Sequence, residues 1–265
     1  MIITMNEYKI YVIFHKYLLD KCYKNDSKFN IEKYKFIKCN ELFPAEYNKM
    51  CGYDICYEKD FNFYNSSLQN LSNPYMAVSA IYHIYKNNVY KDYKYIGFLE
   101  YDISLEIDDV LLKNNTSHVE IQKLKNITSI TEEIEKNIST NKELIIILSG
   151  RHRFKSFFDE NIIVNNKNIF YKILNEFNIY FNTEYTVEYL LINNPILGDQ
   201  QSFLADICTF EKIMGFISHI IENKYAEISG LRPSFLLARY FGITLYLLDV
   251  PTKLISLKHL NKHEW

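Results

Sequence analysis

The sequence predicts a single α/β domain with a mostly parallel central sheet flanked by helices. Apolar runs at residues 9–14, 94–99 and 143–148 are typical of buried strands. A helical pattern separates the first two runs, and this strand–helix–strand order favours parallel pairing. No internal repeat, low-complexity linker or composition break divides the chain, so residues 1–265 are interpreted as one domain.

The composition fits a globular protein and excludes several classes. Hydrophobic residues make up 48% of the 265 residues and charged residues 23%. The formal net charge of −2 gives no basic field that would indicate nucleic-acid binding. Five cysteines, an odd number without a CxxC pair, predict buried free thiols in a reducing compartment. No apolar run is long enough to cross a bilayer, so the sequence predicts a soluble, cytoplasmic protein.

The first half of the chain supplies the clearest elements. The strand at 9–14 ends at His15, and a weaker strand is predicted at 35–39. Residues 57–73 have the composition of a loop. The segment 72–87, "SNPYMAVSAIYHIYKN", predicts an amphipathic helix, because its apolar residues recur at helical spacing. Asn73 is a candidate cap before Pro74 in the first turn.

The second half continues the alternation. The strand at 143–148 is followed by the polar loop "SGRHRF". Helices are predicted at 170–181 and 209–223, and a further apolar helix starts at Pro233 after the turn at Gly230. Residues 201–207 fit neither a helix nor a strand clearly.

Two carboxylates follow the strand at 94–99, in the stretch "YIGFLEYDIS". Glu100 and Asp102 are separated by one residue, so an extended backbone would put both side chains on the same side. Such close like charges repel unless a cation or proton joins them, and a divalent metal with a substrate phosphate would satisfy both. Ligands of open α/β sheets bind beyond the carboxyl ends of the strands, where these acids lie. The alternative is a strand end with two solvated acids.

Several segments resemble a known enzyme family. "NPYMAVSAIYHIYKN" and "DYKYIGFLEYDIS" are similar to capsular-polysaccharide-type glycosyltransferase domains, which have an Asn-led helix ending in Lys-Asn and then "dyIG". "QQSFLADICTFEKIMGFI" and "LRPSFLLARYFGITLYLL" resemble later segments of that family. "FLEYD" resembles the acid-x-acid signature of glycosyltransferases with the GT-A fold. The capsular-type family usually has a His-Tyr-Arg-Arg cluster after "dyIG", where this chain has "FLEYDIS".

The resemblance implies a GT-A-like (Rossmann-like) domain with a nucleotide-sugar side at about 1–104 and an acceptor side at about 105–265. It implies a divalent metal, Mn²⁺ or Mg²⁺, a UDP- or GDP-sugar donor, and a glycan or other hydroxyl acceptor. Asp102 would bind the metal directly, and Glu100 would reach it through water or contact the ribose of the donor. In such enzymes a histidine late in the chain often completes the metal site. His259 is a better candidate for this ligand than His263. The alternative for both histidines is a solvated tail.

The remaining candidate site residues each have a structural alternative. Asp199, expected to be catalytic together with Glu100, would be a general base or bind acceptor hydroxyls, or would cap a turn. Arg151 would contact a diphosphate or an acidic acceptor, or lie in a solvated basic turn. His15 stands where GT-A folds contact the donor base. Asn73 would contact the donor, although its role as a helix cap also explains it.

Missing motifs narrow the choice of function. The sequence has no GxxxxGK[ST], GxGxxG, HExxH or GxSxG motif, so the corresponding nucleotide-binding, protease and hydrolase classes are disfavoured. A metal-dependent glycosyltransferase is the leading hypothesis. A metal-dependent nucleotidyl- or phosphotransferase on a similar sheet, and a non-catalytic carbohydrate-binding relative, are the alternatives. The oligomeric state is not predicted.

Overall fold

The computed structural model describes most of the chain. The described residues are 6–15, 28–41, 53–69, 75–100, 103–107, 119–121, 130–140, 145–147, 151–159, 167–198, 202–227, 232–254 and 257–259. Three of the predicted site residues, Asn73, Asp102 and Asp199, lie outside these ranges.

An eight-stranded sheet is the centre of the described structure, with the strand order β3-β2-β1-β4-β10-β7-β11-β6. Its strands are β1 (Asn6–Phe14), β2 (Tyr34–Lys38), β3 (Ile55–Tyr57), β4 (Tyr93–Glu100), β6 (Val119–Ile121), β7 (Ile145–Ile147), β10 (Phe203–Asp206) and β11 (Thr252–Leu254). Neighbouring strands are parallel, except that β10 runs antiparallel to both β4 and β7. Strands from both sides of residue 104 therefore share one sheet.

Two smaller antiparallel pairs accompany the main sheet. One pairs β5 (Ile103–Ile107) with β12 (Leu257–His259), and the other pairs β8 (Arg151–Arg153) with β9 (Ile196–Gly198). The described helices are α1 (Ala77–Lys86), α2 (Ile130–Thr140), α3 (Phe154–Phe158), α4 (Lys167–Phe181), α5 (Val187–Asn193), α6 (Ile207–Glu222) and α7 (Pro233–Leu247).

The longest strand pairing of the sheet joins two strands with long apolar runs. β1 and β4 pair along most of their length, with Ile10 opposite Gly97 and Val12 opposite Leu99. Both faces of this pair are covered, and Val12 and Ile96 have no exposed surface. Strands buried on both faces have continuous apolar runs rather than alternation, which is why both were recognisable from sequence.

The helix ends follow local side-chain chemistry. Asp206 caps α6, because its carboxylate accepts a hydrogen bond from the Thr209 N–H at 3.0 Å. Pro233 opens α7, in the first turn where its missing N–H costs nothing. Asn87 follows α1 and holds the preceding loop, since its amide donates to Phe63 O at 2.9 Å and its Oδ1 accepts from the Phe63 N–H at 2.8 Å.

The predicted fold class is confirmed, as an α/β architecture with a mostly parallel sheet flanked by helices. Three local interpretations change. The helix predicted at 72–87 begins at Ala77, with Met76 rather than Asn73 at its N-cap position.

The ambiguous segment 201–207 contains strand β10 and the first residue of α6. Residues 151–153, interpreted as part of a polar loop, form strand β8, because their backbone pairs with 196–198.

Cysteine placement only partly matches the prediction of buried thiols. Cys39, Cys56 and Cys208 are free, and of these Cys39 is buried, Cys56 is half-buried and Cys208 is exposed. Burial raises the pKa of the Cys39 thiol well above its usual range, so this thiol stays protonated. None of the helices in the described ranges combines the length and the apolar character that a membrane crossing requires.

Gly97 tests the packing at the centre of the sheet. A Cβ there would lie 3.1 Å from Leu204 Cδ1 and 3.2 Å from Ile10 Cγ1, inside a fully buried layer. Gly97→Ala is expected to lower the free energy of unfolding by about 1–3 kcal/mol through overpacking. Urea unfolding measures the change.

Gly215 in α6 is the matched control. A Cβ there would lie 2.7 Å from the Tyr180 hydroxyl, at the far end of a residue that is 46% exposed, and 3.8 Å from the Tyr85 hydroxyl. Gly215→Ala is expected to preserve or raise stability, because alanine favours a helix by about 1 kcal/mol over glycine. Equal stability of the wild type and Gly97→Ala would contradict the close packing.

Candidate functional site

The carboxyl ends of the parallel strands meet at one edge of the sheet. In the strand register Ile13 stands opposite Glu100, and Phe14 stands opposite Lys38. His15, which directly follows β1, is therefore close in the fold to the ends of both neighbouring strands. Open α/β sheets bind ligands at this edge.

Glu100 ends β4 and is partly exposed at this edge. Its backbone N–H donates a hydrogen bond to the hydroxyl of Ser202 at 3.1 Å, and Ser202 is buried. Because β10 is antiparallel to β4, the chain enters β10 at this same edge. The segment that contains Asp199 thus precedes the strand that starts beside Glu100.

The β5–β12 pair joins the middle of the chain to its late histidine. In the register of these strands, His259 is the partner of Ile103. Ile103 directly follows Asp102 and stands three residues after Glu100. The backbone of His259 is therefore adjacent to the residue that follows Asp102 in the sequence.

The β8–β9 pair places Arg151 beside a distant part of the chain. Its backbone partner is Gly198, the residue before Asp199. The pair is tied down further along, where the Phe154 N–H donates to Pro195 O at 2.9 Å. Arg151 therefore lies beside the residue that precedes Asp199, although the sequence separates Arg151 and Asp199 by about 50 residues.

These pairings place His259 beside Ile103 and Arg151 beside Gly198 along the backbone, and they do not test the roles of the predicted site residues. Among the residues whose side chains are described, no group of three or more His, Cys, Asp or Glu side chains could hold a metal ion. Asp102 and the side chain of His259 lie outside that described set.

Sequence reasoning missed a buried polar network beside this edge. Glu58, which follows β3, and His83 on α1 have no exposed surface, and His83 Nδ1 lies 2.6 Å from Glu58 Oε1. The other oxygen, Glu58 Oε2, accepts from the Asn40 N–H at 3.2 Å and from Gln69 Nε2 at 3.0 Å. The carboxylate thus links the end of β2, the residues before α1, and α1 itself.

The hydrogen bonds of His83 determine which ring nitrogen carries the proton. Its Nε2 accepts from the Asn65 N–H at 2.9 Å and must therefore lack a proton. Nδ1 therefore carries the proton and donates a hydrogen bond to Glu58, so that a neutral imidazole faces a carboxylate. Glu58 lies in a stretch with the composition of a loop, and His83 reads as an ordinary packing residue. Neither signal on its own could reveal the pair.

Lys38 contributes a buried positive charge at the same edge. Its side chain is 2% exposed, and Nζ donates to the carbonyl oxygens of Cys39 at 2.8 Å and Asn40 at 2.7 Å. Burial lowers the pKa of this ammonium group. Carbonyl dipoles therefore stabilise the charge, and the chain after β2 is held in place.

Comparison with known proteins identifies the fold. No protein-family model matches the sequence, and no curated protein matches it significantly. The solved apo structure of WbbM, a bifunctional glycosyltransferase, superposes with a TM-score of 0.58 at 14% sequence identity. The match covers 97% of this chain and 46% of that chain, so this protein spans less than half of the length of WbbM. The two chains share a fold, and the protein that shares it is a glycosyltransferase.

The buried network predicts a stability effect. Glu58→Gln leaves one acceptor atom facing three donors, so at least one buried donor loses its partner. We expect the free energy of unfolding to fall by about 1–3 kcal/mol, as measured by urea unfolding.

Glu222→Gln is the matched control for Glu58→Gln. Glu222 accepts a hydrogen bond from the Tyr82 hydroxyl at 3.1 Å, which the amide oxygen of Gln would still accept. It also pairs with Lys86 at 2.8 Å, but these two side chains are 45% and 33% exposed. Such surface pairs contribute about 0–1 kcal/mol. A loss for Glu58→Gln no greater than that of the control would contradict the structural role of the network.

Proposed function

We propose that this protein is a metal-dependent glycosyltransferase that moves a sugar from a nucleotide-sugar donor to a glycan or another hydroxyl acceptor. The fold shared with a glycosyltransferase supports the class. The single observation that carries the proposal is the pairing of His259 with Ile103, because it draws the late histidine to the acid-x-acid segment. A surface turn with solvated acids would need no such long-range partner.

The candidate ligands suit a divalent cation. Carboxylates of Glu100 and Asp102 and a neutral imidazole of His259 form a set of oxygen and nitrogen donors that Mn²⁺ accepts, and the carboxylates alone suit Mg²⁺. Asp102 is the direct ligand, and Glu100 acts through water or on the ribose of the donor. When bound, the cation supplies positive charge against the diphosphate leaving group.

The other candidate residues are assigned to the donor or to the acceptor according to their positions in the fold. His15, at the end of β1, contacts the nucleotide, with Asn73 before α1 as a second donor contact. The Ser202 hydroxyl anchors the amide of Glu100 and so fixes the direction in which the chain leaves β4. Arg151 donates hydrogen bonds to phosphate or to an acidic acceptor. Asp199 takes the proton of the acceptor hydroxyl or orients that hydroxyl.

Ligand-dependent stability tests the donor and metal site. Ligand that binds only the folded protein stabilises it by about 2.7 kcal/mol at a concentration of about 100 times Kd. In a thermal-shift screen of UDP, GDP and their sugars, we expect at least one ligand to raise the Tm of the protein when Mn²⁺ is present. The same ligand is expected to raise the Tm much less without Mn²⁺. Asp102→Asn and Glu100→Gln are expected to remove the metal-dependent part.

Asp92→Asn is the matched control, since Asp92 is exposed just before the opposite end of β4. It is expected to keep the full metal-dependent shift. If no nucleotide produces such a shift, or if Asp102→Asn retains it, the proposed site is wrong.

The products separate the proposed reaction from its alternatives. A glycosyltransferase releases a nucleoside diphosphate, whereas a nucleotidyltransferase releases pyrophosphate. Asp199→Asn is expected to slow transfer by about 10²–10⁴-fold while the nucleotide still raises the Tm. Mass spectrometry of the products checks both. Pyrophosphate release would favour nucleotidyl transfer, and binding without turnover of any donor would favour a non-catalytic carbohydrate-binding protein.

A further inference from the structure

Arg239 lies in an unusual setting on α7. Its guanidinium carbon stands 3.8 Å from the ring centroid of Phe235, one helical turn earlier, and 5.9 Å from the ring centroid of Phe157 in α3. Phe157 is fully buried. A guanidinium stacked on aromatic rings is held in a fixed plane, while the N–H groups at its edge stay available for hydrogen bonds.

The charge of Arg239 has no acidic partner among the described residues, whose ion pairs all involve other groups. Its Nε is buried and makes no hydrogen bond there. Buried donors in folded proteins are nearly always paired, so an unpaired one needs an explanation. A second cation stands nearby, because Lys167 Nζ lies 4.9 Å from the ring of Phe158, the neighbour of Phe157.

The fold connects Arg239 to the candidate site. Helix α7 packs against β9, which ends at Gly198 directly before Asp199. Phe157 belongs to the helix that follows Arg151 and its strand. Helix α7 also packs on β10 through another of its faces, where the ring centroids of Phe241 and Phe203 lie 5.6 Å apart. The arginine thus stands on the later half of the chain, on the helix that packs against the start of β10.

We propose that Arg239 forms an oxyanion-binding subsite, which takes a phosphate or carboxylate group of the substrate in bidentate hydrogen bonds. This assignment rests on the proposed function for the identity of the substrate, but not for the binding itself. The ligand would supply the missing counter-charge through hydrogen bonds from the terminal N–H groups of the guanidinium, because Nε itself is buried. The oxyanion has two sources, the diphosphate of the donor or an acidic group on the acceptor.

Two variants and a matched control test the subsite. Arg239→Gln removes the charge and the fork of N–H donors, and Arg239→Lys keeps the charge but loses the fork. Arg232→Gln removes the same charge from the exposed residue that precedes α7. The Tm of each ligand-free variant is measured first, so that loss of binding is read only from folded protein.

Isothermal titration at low salt, without nucleotide or metal, uses three probes: inorganic pyrophosphate, glucuronate, and glucose as the uncharged match of glucuronate. The wild type is expected to bind at least one oxyanion more tightly than glucose. Arg239→Gln is expected to weaken that binding at least tenfold, Arg239→Lys by an intermediate factor, and Arg232→Gln by less than twofold.

The pattern of loss identifies the source of the oxyanion. Loss of pyrophosphate binding assigns the subsite to the donor, and loss of glucuronate binding assigns it to an acidic acceptor. The assignment is overturned if the wild type prefers neither oxyanion to glucose, or if Arg239→Gln and Arg232→Gln behave alike. Failure of the proposed function appears separately, as the absence of a metal-dependent nucleotide shift.

Discussion

The candidate site depends on one pairing, the antiparallel insertion of β10 between β4 and β7. This strand is the only described link between the β1–β4 half of the main sheet and the β7, β11 and β6 half. Its reversed direction brings Ser202 to the end of β4, where the hydroxyl accepts the Glu100 N–H. Because the strand enters at the edge where its parallel neighbours end, one edge collects chain segments from both halves of the protein.

The sequence predicted the elements whose signal is local. Residues 9–14 and 94–99 are apolar on both sides because both faces of the sheet are covered, and α1 shows a clear helical period. Strand β10 was ambiguous because it has four residues and runs directly into the Asp206 cap of α6. Strand β8 was missed because Arg151–Arg153 has no apolar pattern, and its pairing is decided by residues about 45 positions away.

The same distinction holds at the site. The position of Glu100 at the end of β4 was predictable because the apolar run before it is a local signal, whereas its role stays a prediction. The Glu58–His83 pair was not predictable, since a lone acid in a loop and a lone histidine on a helix become meaningful only when tertiary structure joins them at 2.6 Å. Nor was the setting of Arg239 predictable, since the guanidinium lies against the aromatic rings of Phe235 and Phe157. Its setting therefore depends on how α3 and α7 pack, which no local pattern encodes.

The pairing of β5 with β12 has a consequence for synthesis on the ribosome. Its two strands are separated by more than half of the chain, so closing that contact costs loop entropy and occurs late in folding. The four parallel strands β1–β4 can assemble around α1 while later residues are still being made. A nascent chain that stops before residue 257 would contain this early subdomain without β12, the strand that carries His259. The proposed ligand set of Glu100, Asp102 and His259 would then be completed only after residue 259 has been made.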